Sequence, residues 1–298
     1  MVNNLQAYRE YLEKEKKYSL LTVNAYLADL LSFQQFLKDH HESIVLEKVV
    51  YPLVRNWIVF LVENGISNQS VNRKISSLKS FYKFLLKIKQ IEVSPLLKHK
   101  SLKTPKKVQI PFSEKEMQNV FELNEFTNDF EGVRNQLIIE LFYTTGIRRA
   151  ELINLKITQI DFSNQTIKVL GKRNKERIIP LLECTVRLLK EYLDLRLEKI
   201  VSSSLDVLIL SKTGNKVSES FVYRLINDYF SSVSLKVKKS PHVLRHSFAT
   251  HLLNNGADLN SVKELLGHAS LSSTQIYTHS SLAELKKVYQ EAHPRNQK

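Results

Sequence analysis

Through most of the first ninety positions, apolar residues recur every three or four places, a spacing that predicts helices one after another. The pattern is present over residues 5–14 and stronger over 22–37, where Tyr26, Leu30, Phe33 and Leu37 share a face. A third predicted helix covers 51–64, contains Trp57 and stops at Gly65; a fourth, capped by Asn68 or Ser70, covers 71–89 with Ile75, Leu78, Tyr82 and Leu85 inward. Residues 1–95 therefore read as a compact helical bundle.

Residues 96–111 carry five lysines, two prolines and no acid, and read as a cationic, helix-averse linker. A second domain, 112–298, opens with a capping box between Ser113 and Glu116 and continues with a strongly apolar helix over 134–145 that ends at Gly146. Between 159 and 181 the period drops to two. Three short strands are predicted there, joined by turns at Ser163-Asn164 and over the basic stretch 172–175. Helices resume over 185–197 and 220–229. Ser240 and Pro241 then read as the cap and first residue of a helix whose Leu244, Phe248 and Leu252 pack, while His242, Arg245 and Ala249 form a neighbouring polar face. Gly256 ends that helix, Gly267 ends a short one over 259–266, and Ser272 to Thr274 offer caps for a third that carries Ile276 and Tyr277. A last amphipathic helix covers 281–292, with its docking partner left open. The expected fold is mainly α with a small antiparallel sheet: an N-terminal helical bundle followed by an α+β domain.

Composition narrows the class. The 298 residues are 43% hydrophobic and 25% charged, as in an ordinary soluble protein, and no apolar run approaches membrane-spanning length. The polar, acid-containing N-terminus does not look like a signal peptide, so a cytoplasmic protein is expected. Cys184 stands alone, which permits no internal disulfide. The net charge of +14 is unevenly spread: residues 71–107 hold eleven basic side chains against one acid, Glu92. Arg73, Lys74, Lys79 and Lys83 on the fourth helix, with Lys106 and Lys107 in the linker, are candidate contacts to a polyanion, the alternative being a solvated basic face.

The chemistry concentrates between 240 and 279, which holds five of the nine histidines. His242 and His246 are four apart, as metal ligands on a helix can be, but the glutamate of an HExxH site is missing and no cysteine set accompanies them, so no metal is expected. Arg245, one turn after His242, suits an anion better. In the second domain's earlier part, Arg148 follows the Gly146 turn, with Glu151 one helical turn on to orient it, and Lys172 sits in the basic hairpin. Two arginines, His242, His268, Lys172 and Tyr277 brought together make a site able to cleave a phosphodiester: tyrosine is a weak nucleophile at its ordinary pKa near 10, and adjacent cations favour both the phenolate and the charged transition state. No phosphate-cradling GxxxxGK[ST] loop is present, so no nucleotide cofactor is implied.

The ordered pattern TGIRRAEL, GKRNKER, HVLRH, LGH and IYTH resembles the tyrosine site-specific recombinases of the phage integrase family, most closely the bacterial Xer type. YSLLTVNAYLADLLSFQQFL and NRKISSLKSFYKFL resemble that family's SAM-like core-binding domain, and the closing HPR at His293–Arg295 resembles an Xer C-terminus. The resemblance implies catalytic roles for Arg148, Lys172, His242, Arg245, His268 and the nucleophile Tyr277, with Glu151 as an accessory acid. It implies a double-stranded DNA recombination site as substrate, no cofactor, a homo- or hetero-tetramer with a second Xer recombinase, a C-terminal helix docked on a neighbouring protomer, and an FtsK-type DNA translocase as activator. Resolution of chromosome dimers before cell division is the implied role. The rivals are a phage or mobile-element integrase, a type IB topoisomerase and, from another class, a DNA-binding protein without catalysis.

Overall fold

The computed structural model describes residues 4–41, 44–105, 109–124, 126–171, 176–198, 206–236, 238–267 and 279–296. The chain divides into two compact units, residues 1–107 and 108–298.

In the first unit, α1 (Asn4–Glu10) runs into one wide π-helical turn (Tyr11–Glu15), followed by α2 (Leu20–His40), α3 (Tyr51–Glu63) and α4 (Asn68–Lys87). Of the stripes read from the sequence, Leu30, Phe33, Leu37, Ile75, Leu78, Tyr82 and Leu85 are buried and Tyr26 is half-buried; Trp57 is buried too, its ring 4.9 Å from that of Phe33. Helix α4 starts earlier than the pattern suggests. Ser67, in extended backbone, accepts a hydrogen bond from the Ser70 amide at 3.4 Å, so neither Asn68 nor Ser70 is the cap. Residues 96–103 lie along this helix. Leu96 is buried, the Asn72 side chain exchanges two bonds of 2.9 Å with the backbone of Leu102, and Asn68 donates to the Lys103 carbonyl at 2.9 Å. An asparagine amide reproduces a peptide's donor and acceptor, and here it ties an irregular segment down much as a strand partner would.

The second unit is built round α6 (Phe130–Thr145). Asp129 caps it by accepting from Gly132 N at 2.8 Å, so the helix begins four residues before the expected start, and it is buried on almost every side. Around it pack α8 (Glu183–Leu197), α9 (Glu219–Ser231) and α10 (Pro241–Asn254), while α5 (Glu114–Leu123) begins with the expected Ser113–Glu116 capping box. After Gly146 come α7 (Arg149–Asn154) and an antiparallel sheet in the order β1 (Ile160–Asp161), β2 (Thr166–Leu170), β3 (Glu176–Pro180). Ile167 pairs with Ile179 and Val169 with Arg177, so one face of the sheet is apolar except for that arginine. Asp258 caps α11 (Leu259–Leu266), and Gly267 closes it at φ 64°. At α10 one expected detail is not made: Ser240 starts the helix through its carbonyl, which accepts from Val243 and Leu244, and its hydroxyl is buried without a hydrogen-bond partner. Among the described residues no helix is long and apolar enough to cross a membrane.

The last helix, α12 (His279–Ala292), returns to this unit. The resemblance assigns such a helix to a neighbouring protomer; here Leu285, Tyr289 and Ala292 are buried against the chain's own core. The attraction is specific, because the C-terminal carbonyls of α6 lack intrahelical donors. Tyr289 donates to Thr144 O at 2.7 Å and His293 Nε2 to Tyr143 O at 3.1 Å. Arg295 then pairs with the buried Glu140 at 2.9 Å, with its guanidinium over the Phe121 ring. Removing one partner of such a pair strands a buried charge. Arg295→Ala is therefore expected to destabilise the full-length chain by about 3 kcal/mol in a denaturant titration; a loss below about 1 kcal/mol would contradict this account of the pair.

Candidate active site

The site begins where α6 ends. Gly146 adopts the left-handed conformation, φ 57°, and a Cβ there would lie 2.5 Å from the Phe248 ring of α10, so the turn is both strained for and closed to any other residue. The turn delivers Arg148 as the N-cap residue of α7. Glu151 reaches back across the first helical turn: Oε2 accepts from the Arg148 amide at 2.9 Å and Oε1 from the Arg148 guanidinium at 2.7 Å. Glu151 thus holds both the backbone and the side chain of Arg148.

Arg245 reaches the same place from α10, donating to Gly146 O and, at 2.6 Å, to Leu266 O. Arg148 also donates to Gly267 O at 3.3 Å. The sequence reading missed a third arginine: Arg177 of β3 donates from Nε to Leu265 O at 2.9 Å and forks onto Glu151 at 2.7 and 3.0 Å. Three consecutive carbonyls at the C-terminus of α11 therefore accept from three guanidiniums carried by three separate elements. Those carbonyls are the unsatisfied, partly negative end of a helix and suit cations. One carboxylate among three guanidiniums leaves the cluster positive. Arg148, with a third of its side chain exposed, offers that charge to solvent, whereas the Arg177 side chain is 5% exposed.

Titration follows from this crowding. Burial, then the charges of Arg148 and Arg177, push the Arg245 guanidinium down to about 9, still protonated at neutral pH. Burial alone would raise the Glu151 carboxyl, but Arg177 first and Arg148 second outweigh it and hold it at about 2. His242, on the exposed face of α10, is lowered by desolvation and then by Arg149, Lys238, Arg245 and Arg148, all of which favour the neutral ring. Among the described residues no group of three or more His, Cys, Asp or Glu side chains is arranged to hold a metal. Lys172, His268 and Tyr277 lie outside the described residues, as do Lys106 and Lys107.

In the first unit, Arg73, Lys79 and Lys83 stand on the exposed side of α4 and Lys74 is half-buried. A second missed residue governs two of them. Asp29 of α2 is 2% exposed and accepts two bonds from Arg73, at 2.6 and 2.8 Å, one from Lys74 at 3.2 Å and one from Ser77 at 2.7 Å. Burial opposes its ionisation, yet these bonds lower its pKa. Arg73 is thereby fixed in direction with half its side chain exposed, and part of its charge is already compensated.

The Glu151 cluster has a measurable signature. Its folded-state carboxyl sits at about 2, below the ordinary 4.5, so its bonds stabilise the fold above pH 4.5 and fade as the pH falls from there towards 2. Glu151→Gln is expected to unfold more easily at pH 7 and to lose less stability than the parent between pH 4.5 and 3, the difference being at most about 2 kcal/mol. Parallel acid profiles would contradict the pairing.

Comparison with known proteins agrees with this architecture. Residues 116–284 match the phage integrase family and residues 5–89 the N-terminal SAM-like domain of phage integrases. The chain is 40% identical to the tyrosine recombinase XerC of Anoxybacillus flavithermus over 98% of its length and 97% of the relative's. It is also 40% identical to that of Staphylococcus carnosus, over 100% of this chain and 99% of that one. Among solved structures, the XerH site-specific recombinase bound to palindromic difH substrate, a post-cleavage complex, has a TM-score of 0.68 at 23% identity, over 98% of this chain and 82% of that chain. The Tn1549 transposon integrase in complex with transposon right end DNA has a TM-score of 0.70 at 19% identity, over 95% and 98%. At such identities these two show a shared fold. Two matched domains in order, and whole-length identity to proteins of one kind, make the chain a member of the phage integrase family of tyrosine recombinases, of the Xer type.

Proposed function

We propose that this recombinase cuts and rejoins DNA strands at a specific double-stranded site with Tyr277 as nucleophile. The observation that carries the reading is the convergence of Arg148 and Arg245, from elements almost a hundred residues apart, on one helix terminus. Two such guanidiniums can fork the non-bridging oxygens of a phosphate and stabilise the added charge of a pentacoordinate transition state. The Tyr277 oxygen forms a bond to phosphorus as the bond to the 5′ oxygen breaks. The phenol proton leaves to a base, the 5′ oxygen takes a proton from Lys172 as general acid, and the products are a 3′-phosphotyrosyl link and a free 5′-hydroxyl. His242, whose surroundings favour the neutral ring, and His268 assist proton transfer and transition-state binding. Since the covalent link keeps the phosphodiester's free energy, a second strand's 5′-hydroxyl reverses the steps without a nucleotide or other cofactor.

In this reading residues 1–95 are the core-binding domain, 96–111 a basic linker and 112–298 the catalytic domain. Arg73, Lys74, Lys79, Lys83, Lys106 and Lys107 meet phosphates. Catalysis takes place in a homo- or hetero-tetramer with a second Xer recombinase, under an FtsK-type translocase, and resolves chromosome dimers in the cytoplasm. Identity of 40% along the whole chain to relatives named XerC supports this over a mobile-element integrase, whose likeness here is one of fold.

Two measurements test the reading. Tyr277→Phe is expected to bind DNA as the parent does and to form no covalent adduct on a nicked suicide substrate; an adduct from that variant would overturn the assignment. Binding is expected to weaken with salt at a logarithmic slope of roughly −0.9 per phosphate contact, so a nearly flat response would contradict a large basic footprint.

A further inference from the structure

We propose that Arg177 is a positioning residue of the recombination site: by bracing Glu151 against the C-terminal turn of α11 it leaves the Arg148 guanidinium available to the scissile phosphate. The inference rests on the functional reading above and concerns how that site is kept competent.

Arg177 stands on the inward face of β3, opposite Val169 and in line with Ile179, where an apolar side chain would cost less. Being 4% exposed, it has no surface to offer DNA. Three of its donor bonds run inward, two to Glu151 and one to Leu265 O. Its aliphatic stem fills the space beside Gly267, where a Cβ would come within 2.9 Å of Arg177 Cδ. The carbonyls on either side of this contact serve the other two arginines, Leu266 O for Arg245 and Gly267 O for Arg148. Arg177 is thus in touch with Glu151 and with the Gly267 turn, the two groups that aim Arg148.

The consequence is a competition. Glu151 is buried, and each of its oxygens is shared between Arg148 and Arg177. With Arg177 present, the carboxylate is satisfied by a partner that never meets DNA, and Arg148 can turn donors towards a phosphate at little cost. Without Arg177, Arg148 becomes the only guanidinium left on a buried carboxylate, and the pair closes on itself. The phosphate then loses a donor although Arg148 is intact.

A double-mutant cycle separates this from a merely structural role. Arg177→Met keeps the volume and removes the fork. With the full-length chain and a nicked suicide substrate at saturating DNA, adduct formation by Arg177→Met is expected to slow by about a hundredfold, the upper range for losing a supporting partner, with DNA affinity within about twofold of the parent. Adding Glu151→Gln to that variant removes the competing charge. The double variant is expected to be faster than Arg177→Met alone, by about tenfold. Losses that multiply in the double variant, an unchanged rate in Arg177→Met, or affinity falling in step with rate would each overturn the proposal.

If Arg177→Met does not fold, Arg177→Lys carries the test: it keeps the charge with one bond in place of a fork and is expected to be about tenfold slower at unchanged affinity, a parental rate counting against the proposal. A readout outside catalysis is the Glu151 carboxyl itself, followed by carbon NMR: held near 2 in the parent, it is expected to rise by at least about one unit in either variant, and an unmoved value would overturn the bracing. If the parent forms no adduct, the functional reading fails and this one with it. If the parent forms it and Arg177→Met matches it, this inference alone fails.

Discussion

One helix end organises the second unit. The carbonyls of Leu265, Leu266 and Gly267 have no intrahelical amides to accept from, and three guanidiniums supply the donors instead. Each arginine arrives on a different element: one on the N-cap of α7, one inside a strand, one on the buried-to-exposed border of α10. A guanidinium is planar and always charged at neutral pH, so two bonds fix its plane as well as its position. The α11 terminus therefore acts as a template that sets three cations in a common frame before any substrate arrives. Like charges so close would otherwise repel; Glu151, ionised down to about pH 2, is what permits the crowding.

Two glycines make the template reachable. At Gly146 the backbone passes so close to Phe248 that a methyl group would overlap the ring, and the same residue's carbonyl accepts from Arg245. At Gly267 the left-handed turn that ends α11 leaves room for the stem of Arg177. Both positions combine positive φ with close approach, two separate reasons why no larger residue fits. Around them α6 supplies rigidity, being buried on nearly all sides, and its own C-terminal carbonyls are met by Tyr289 and His293 from the end of the chain. The same device, a helix end satisfied by distant donors, thus recurs twice in one unit.

How much of this was legible beforehand depended on range along the chain. Periodicity found the helices and all three strands, the Gly146 turn put Arg148 and Glu151 at a helix start, and Ser240-Pro241 put His242 and Arg245 on the first turns of α10, because each signal is local. Helix starts slipped where the cap lay outside the apolar stripe, at Ser67 and Asp129. The residues missed altogether pair across distance: Arg177 meets Glu151 from another element, and Asp29 meets Arg73 from another helix. Each left a faint trace. Arg177 alternates with Ile179 on what must be the inward face of its strand, and Asp29 falls within the stripe of Tyr26, Leu30 and Phe33. A charge on a face destined for burial implies a partner, but the sequence does not say which.

The central claim is that the guanidinium frame exists in the DNA-free protein rather than forming around a phosphate. It is tested most directly by nitrogen NMR of the arginine side chains in the full-length chain without DNA. The account predicts that Arg177 and Arg245 show slowed guanidinium rotation and amide-like protection of their bonded protons, set apart from exposed arginines such as Arg55. Averaged, rapidly exchanging signals from both, indistinguishable from those surface residues, would contradict it.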